Sequence, residues 1–145
     1  MDIQILDHAA VLNLLPDRDP WGHKGTFGKV LAVCGSDRFR GAALLTAGAA
    51  LRCGVGLCCL ASCRPVLDAA AVTVPGCTLL PLEMGTEGTL TGEAAATILG
   101  RQEDVLVLGP GLGNTPDTAE LVRALVGAWE KPLVLDADGL NVLAG

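Results

Sequence analysis

The feature that most constrains this sequence is the alternation of short apolar runs with segments of helical periodicity. A run that is apolar on both faces is typical of a parallel strand covered by helices on both sides. The runs predicted as strands are KVLAVCGS (29–36), GLCCLAS (56–62), TLLPLE (78–83), DVLVLGPGLG (104–113) and KPLVLDADGL (131–140). This order predicts an α/β fold with a mainly parallel sheet and right-handed crossovers.

The intervening segments carry helix start and stop signals. Asp7 is expected to cap a short helix that runs through Leu15 and is closed by Pro16. Further helices are predicted over 41–52, over 64–72 with Pro65 near the start, over 91–102 with Thr91 as cap and Glu93 in the first turn, over 114–130 with Asn114 or Thr115 as cap, and from 141 onward. Pro81 places the third strand at a sheet edge or bulge.

Composition excludes several classes of protein. The chain has 145 residues, of which 50% are hydrophobic and 18% charged, so disorder is excluded and a single domain over residues 1–145 is expected. A net charge of −6 argues against nucleic acid as a partner and against a basic membrane-binding surface. The sequence has no apolar run long enough for a membrane span and begins with acids rather than a basic leader, so we expect a cytoplasmic protein.

The six cysteines are interpreted as buried thiols. Disulfides are rare in a reducing compartment, and the sequence has no C-x-x-C pair with which to hold zinc. Cysteine also behaves as a small apolar residue in protein cores. We therefore expect no metal site among the cysteines.

The first candidate binding loop follows the first predicted strand. Gly41, Ala42 and Ala43 begin a helix, and small residues there leave backbone N–H groups open to a phosphate or pyrophosphate. The loop has neither the Lys-Ser/Thr pair of a Walker loop nor a G-x-G-x-x-G fingerprint. Equally, the small residues can serve only to pack the helix tightly on the sheet.

Two more junctions stand at strand ends, where ligands bind in open α/β sheets. Glycines alternate in GPGLG (109–113), which permits positive φ and close approach of a ligand, although a tight turn alone could need one or two of them. After the last strand, Asp136 and Asp138 could hold Mg2+ through water, accept hydrogen bonds or act as a base. Alternatively, Asp138 caps the next helix and Asp136 orients the loop. Upstream, Lys24 is interpreted as a solvated loop residue.

Taken together, these motifs resemble the ADP/ATP-dependent NAD(P)H-hydrate dehydratase family. The resemblance is carried in order by HKGTFGKV (23–30), CGS (34–36), GAALLTAGAALRCGVG (41–56), GPGLG (109–113) and LDADGLN (135–141). It implies a ribokinase-like three-layer fold. It also implies that the 6S hydrate of NADH or NADPH is dehydrated at the expense of ADP or ATP, with Mg2+, because phosphorylation converts a poor leaving group, hydroxide, into phosphate.

Residue by residue, the resemblance implies substrate contacts at Ala42, Ala43, Gly111, Gly113 and Asp136. To Asp136 it assigns support of the site rather than proton transfer. The family's catalytic aspartate, in a Gly-Gly-Thr-Gly-Asp loop, has no counterpart before Gly145, so no catalytic residue is assigned and the fold is expected to be truncated.

Activity is therefore expected in the complete protein and not in these residues alone. A truncated sheet also exposes a strand edge, and we expect a homo-oligomer. Two other functions remain open. One is a ribokinase-like small-molecule kinase for a vitamin precursor, and the other is a non-catalytic fragment that retains a dinucleotide pocket.

Overall fold

The protein is built on a parallel sheet of five strands, which the computed structural model describes together with the rest of residues 5–144. The strands are β1 (Lys29–Val33), β2 (Leu57–Ser62), β3 (Thr78–Pro81), β4 (Val105–Leu108) and β5 (Leu133–Leu135). Every pairing is parallel, in the order β3-β2-β1-β4-β5. The predicted α/β class is confirmed, and β3, which contains Pro81, is an edge strand as its proline predicts.

Helices connect the strands in the predicted order. They are α1 (His8–Leu14), α2 (Arg40–Arg52), α3 (Arg64–Thr73), α4 (Ala94–Leu99), α5 (Pro116–Ala128) and α6 (Asp138–Ala144). Helix α4 is shorter than predicted, and α6 begins at Asp138, within the segment predicted as the last strand. The Asp7 carboxylate caps α1 by accepting from the Ala10 N–H at 2.8 Å. Residues 1–4 and Gly145, which belong to the predicted domain, lie outside the described residues.

One predicted cap is wrong. Helix α4 begins at Ala94, with Glu93 rather than Thr91 at the N-cap position and without a side-chain cap hydrogen bond. The Thr91 hydroxyl is instead buried without a hydrogen-bond partner. At α5 the prediction holds, because the Thr115 hydroxyl accepts from the Thr118 N–H at 3.2 Å and Pro116 follows it directly.

The strand order places a reversal of direction between β1 and β4. The chain starts at β1 in the centre of the sheet, moves outward through β2 to β3, and then returns to β4 and β5 on the other side. Helices α2 and α3 contact each other, as do α4 and α5, and right-handed crossovers put the two pairs on opposite faces. Ligands bind open α/β sheets beyond the carboxyl ends of the strands at such a reversal.

Small and branched side chains fill the core between these layers, as the low aromatic content requires. All six cysteines are free, and four of them are buried: Cys34, Cys58, Cys59 and Cys63. Burial raises the pKa of the Cys34 thiol to about 12, so this thiol stays protonated. The prediction of buried thiols is wrong for Cys53, which is exposed at the end of α2, and only partly right for Cys77.

Within residues 5–144, none of the helices combines the length and the apolar character needed to cross a lipid bilayer.

Candidate functional site

The loops that follow β1 and β4 meet at the reversal of strand order. We call residues 34–39 the first loop and residues 109–115 the second loop. The Gly35 N–H donates to the Pro110 carbonyl, and the Ser36 hydroxyl donates to the Gly111 carbonyl, each at 2.8 Å. Ser36 is buried. The two loops are therefore joined directly to each other as well as through the sheet.

The glycines of the second loop are required by packing. Gly111 has φ +71°, and a Cβ at this position would lie 2.7 Å from the Cβ of Ala42 and 2.9 Å from the Phe39 carbonyl oxygen. Gly109 has φ +129°, and a Cβ there would overlap the Asp136 carbonyl oxygen. Both glycines let the backbones of neighbouring junctions touch, so the loop is more than a tight turn.

The start of α2 faces the second loop. Helix α2 begins at Arg40, one residue before the predicted start, and Phe39 at its N-cap makes no side-chain hydrogen bond. The N–H groups of the first turn, through that of Ala42, have no acceptor within the helix. Ala43 is completely buried and lies against Gly35, so its side chain belongs to the core.

The end of β5 is attached to the second loop through Asp138. Its carboxylate accepts from the Gly113 N–H at 2.9 Å and from the Asn141 amide at 3.3 Å. Ala137, just before it, has φ +48° and is the sole non-glycine residue with positive φ among residues 5–144. This strained conformation separates the two carboxylates, so that Asp138 points to Gly113 whereas Asp136 is exposed.

A third loop, residues 82–93 between β3 and α4, completes the site and was missed by the sequence analysis. The Gly88 carbonyl accepts from the Asp37 N–H at 2.9 Å, which brings this loop over the first loop. The Thr89 methyl group lies 3.0 Å from where a Cβ of Gly113 would be, which brings it against the second loop as well. Its signal was a stretch of glycine, threonine and glutamate, EMGTEGTLT, directly after a predicted strand.

The three loops enclose a cavity of about 340 Å³. It contains one exposed cation, Arg38, which makes no ion pair with any residue in the described part of the chain, and one exposed carboxylate, Glu87. The lining residues are Ser36, Arg38, Phe39, Glu87, Gly88, Thr89, Gly113, Asn114 and Thr115. A polar ligand that carries both a negative charge and hydrogen-bond donors fits this lining.

Lys24 lies away from this cavity. Its backbone carbonyl packs so closely on Gly56, just before the amino end of β2, that a Cβ on Gly56 would overlap it. The Lys24 side chain is exposed, in agreement with its interpretation as a solvated loop residue.

The described residues were expected to bind Mg2+ with the nucleotide, but they do not provide a complete set of ligands for this ion. No group of three or more His, Cys, Asp or Glu residues suited to a metal occurs within residues 5–144. Of the two aspartates at the end of β5, Asp138 is already engaged with Gly113 and Asn141. The described residues therefore do not fit a protein-held Mg2+ site, which needs several oxygen ligands.

Comparison with known proteins gives a consistent result. Residues 30–145 match the family model described as NAD(P)H-hydrate dehydratase. The bifunctional NAD(P)H-hydrate repair enzyme Nnr of Moorella thermoacetica is 40% identical over 143 residues, which are 97% of this chain and 27% of that protein. The ADP-dependent (S)-NAD(P)H-hydrate dehydratase of Xanthomonas campestris pv. campestris is 37% identical, over 92% of this chain and 46% of that protein.

Solved structures agree in fold. An ADP/ATP-dependent NAD(P)H-hydrate dehydratase from Bacillus subtilis, co-crystallized with ATP/Mg2+, has a TM-score of 0.80 and 31% identity, covering 97% of this chain and 48% of that one. A ribokinase-like superfamily protein from Enterococcus faecalis, 16% identical with a TM-score of 0.81, matches in fold. The predicted ribokinase-like fold is confirmed. The chain spans about half the length of these structures and about a quarter of the bifunctional relative.

Proposed function

The chain belongs to the NAD(P)H-hydrate dehydratase family, and from this premise we propose that its protein converts the 6S hydrate of NADH or NADPH back to NAD(P)H at the expense of ADP or ATP. The observation that carries the proposal is the meeting of the first and second loops at the reversal of strand order, where together with the third loop they enclose a polar cavity. These are the loops that contain the family motifs CGS and GPGLG.

The proposed substrate contacts come from three junctions of the sheet. The free N–H groups at the start of α2, up to that of Ala42, face a phosphate or pyrophosphate, and completely buried Ala43 supports them from the core. Gly113 lines the cavity and lets the ligand approach the second loop, and Gly111 supports this contact by letting the loop pack against Ala42. Asp136, exposed at the end of β5, supports the site without transferring a proton.

The nucleotide supplies the free energy of the reaction. Hydroxide is a poor leaving group, and transfer of a phosphoryl group to the substrate hydroxyl makes it phosphate, which the electrons of the ring nitrogen can expel. The Bacillus subtilis relative was crystallized with ATP/Mg2+. We propose that Mg2+ accompanies the nucleotide in this protein as well.

We also propose that the protein acts in the cytoplasm as a homo-oligomer. The substrate class supports the location, because NADH and NADPH are the source of the hydrates.

The test is a nucleotide-dependent repair assay on the full-length gene product that carries these residues. We expect the reduced-nicotinamide absorbance to return when the 6S hydrate is incubated with ADP or ATP, and not when either nucleotide is left out. Phosphorylation of a pyrimidine or thiazole alcohol, with no return of absorbance, would instead identify a vitamin-precursor kinase. Binding of the hydrate without turnover would identify a non-catalytic fragment.

A further inference from the structure

Three threonine hydroxyls form a hydrogen-bonded chain that leads from the first turn of α5 to the cavity. Thr118 is buried, and its hydroxyl lies 3.1 Å from that of Thr115. The Thr115 hydroxyl lies 3.0 Å from that of Thr89, which is also buried and lines the cavity. Each hydroxyl has one proton to donate and lone pairs with which to accept. The order of donors along the three hydroxyls therefore decides whether Thr89 presents a proton or a lone pair to the cavity.

The inner end of the chain determines this order. The Thr118 hydroxyl lies 3.4 Å from the carbonyl of buried Leu112 and is its hydrogen-bond donor. A buried carbonyl without a donor is costly, so the Thr118 proton is held there. Because its proton is used, the Thr118 hydroxyl accepts from Thr115.

The same reasoning extends outward to the cavity. Since Thr115 donates to Thr118, the proton between Thr115 and Thr89 comes from Thr89. The Thr89 oxygen then has lone pairs to offer the cavity and no proton. Its methyl group packs against Gly113, which favours a single rotamer of this side chain.

We propose that Thr89 is a substrate-contacting residue that accepts a hydrogen bond from a neutral donor of the substrate, a hydroxyl or an amide N–H. This inference rests on the proposed function, because the hydrate has such donors in its ring hydroxyl, its carboxamide and its ribose groups. It assigns to the third loop a part in choosing the substrate. A buried acceptor of fixed direction discriminates against ligands that lack the matching donor.

The experiment compares Thr89→Val with Thr89→Ser in the full-length gene product. Valine keeps the shape of threonine and removes the oxygen, whereas serine keeps the oxygen. We expect Thr89→Val to weaken binding of the hydrate and to raise its KM about tenfold, with kcat nearly unchanged, since one buried donor loses its acceptor. Thr89→Ser and the exposed-helix control Thr97→Val should stay close to the unaltered protein.

A structural role for Thr89 predicts a different result. In Thr89→Val, the hydrogen bonds from Thr115 to Thr118 and from Thr118 to Leu112 remain, so the melting temperature should fall little. A large fall in melting temperature with unchanged KM would overturn the inference. Equal binding of the hydrate by the unaltered protein and by Thr89→Val would overturn it too.

Titration with NADH as a second probe separates the inference from the function on which it rests. Weaker binding of both the hydrate and NADH by Thr89→Val supports a carboxamide or ribose donor, and weaker binding of the hydrate alone supports the ring hydroxyl. If the unaltered protein binds neither probe, both proposals fail. If it binds the hydrate without turnover, dehydration fails, and the loss of binding in Thr89→Val still decides the role of Thr89.

Discussion

A cavity lies at each end of the parallel strands, and the two cavities differ in the residues that build them. The difference distinguishes a candidate binding site from a cavity whose polar groups pair with one another. At the carboxyl ends of the strands, three loops contact one another around a cavity of about 340 Å³. Glycines with positive φ and the strained Ala137 shape these junctions. At the amino ends, a cavity of about 390 Å³ lies between the starts of β1, β2 and β3 and the loop before β4. Of these two cavities, the larger one lies at the end of the sheet opposite to the reversal-side loops.

An ion pair lines the amino-end cavity. Glu103 is buried, and its carboxylate accepts from Arg101 at 2.5 and 3.2 Å, while its backbone carbonyl accepts from Lys131 at 2.7 Å. The Arg101 guanidinium also reaches the Cys59 sulfur at 3.8 Å. The central polar groups of this cavity are thus satisfied by one another, whereas Arg38 and Glu87 in the carboxyl-end cavity form no ion pair with any residue in the described part of the chain.

The largest effect is expected at the carboxyl end, for Gly109→Ala. The new Cβ would overlap the Asp136 carbonyl oxygen, in a backbone conformation that L-residues avoid. We expect a loss of about 3 kcal/mol or more in the free energy of unfolding, measured with denaturant.

Gly127→Ala is the matched control for Gly109→Ala. Gly127 lies in α5, and the space that a Cβ would occupy there is open, so alanine should leave stability unchanged or raise it by about 0.5–1 kcal/mol. Equal stabilities of the two variants would show that the junction between the second loop and β5 is not tightly packed.

A smaller effect is expected for Asp138→Ala. The buried Gly113 N–H loses its acceptor, which should lower the free energy of unfolding by about 1–3 kcal/mol and raise the KM for the hydrate. Asp138→Asn keeps an acceptor oxygen and should retain most of both properties. A normal KM in Asp138→Ala would mean that the second loop keeps its shape without this hydrogen bond.

The smallest effect is expected at the amino end, for Glu103→Gln. Burial by itself would raise the pKa of Glu103, but hydrogen bonds from Arg101 and the nearby positive charges hold it below its ordinary value. We expect the neutral-pH free energy of unfolding to fall by about 1–2 kcal/mol, with KM and kcat unchanged.

The pH dependence of this variant follows from the direction of the shift. A depressed folded-state pKa stabilises the protein above the unfolded pKa, and this stabilisation is lost as pH falls through the folded pKa. The difference between Glu103→Gln and the unaltered protein should therefore disappear in acid, below the ordinary value of 4.5. Asp68→Asn, which breaks an exposed ion pair, should show little effect at any pH.

The sequence predicts the elements of this fold well because their signals are local. Apolar runs, Pro81 at an edge and the cap at Thr115 depend on neighbouring residues and are found where expected. The third loop was missed because its residues show neither helical nor strand periodicity. Its place over the first loop follows from the strand order, which no local pattern reveals.

The two aspartates after β5 also show that a local sequence pattern does not determine the direction of a side chain. Their presence at a strand end was evident, but both roles considered for Asp138 were left open. Its direction toward Gly113 depends on the positive φ of Ala137, a conformation that alanine rarely adopts and that tertiary contacts impose. The complete burial of Ala43, by contrast, agrees with the alternative that small residues at the start of α2 pack the helix on the sheet.

The hydrogen bonds between the first and second loops have a thermodynamic consequence. Loops that are free before binding must lose conformational entropy when they close on a ligand, and this loss weakens affinity. Here the Gly35 N–H donates to Pro110 and the Ser36 hydroxyl donates to Gly111, so contacts within the protein hold the two loops together. Most of that entropy is lost during folding, so a ligand would meet a surface whose backbone is preorganised, and its contacts would contribute more fully to affinity.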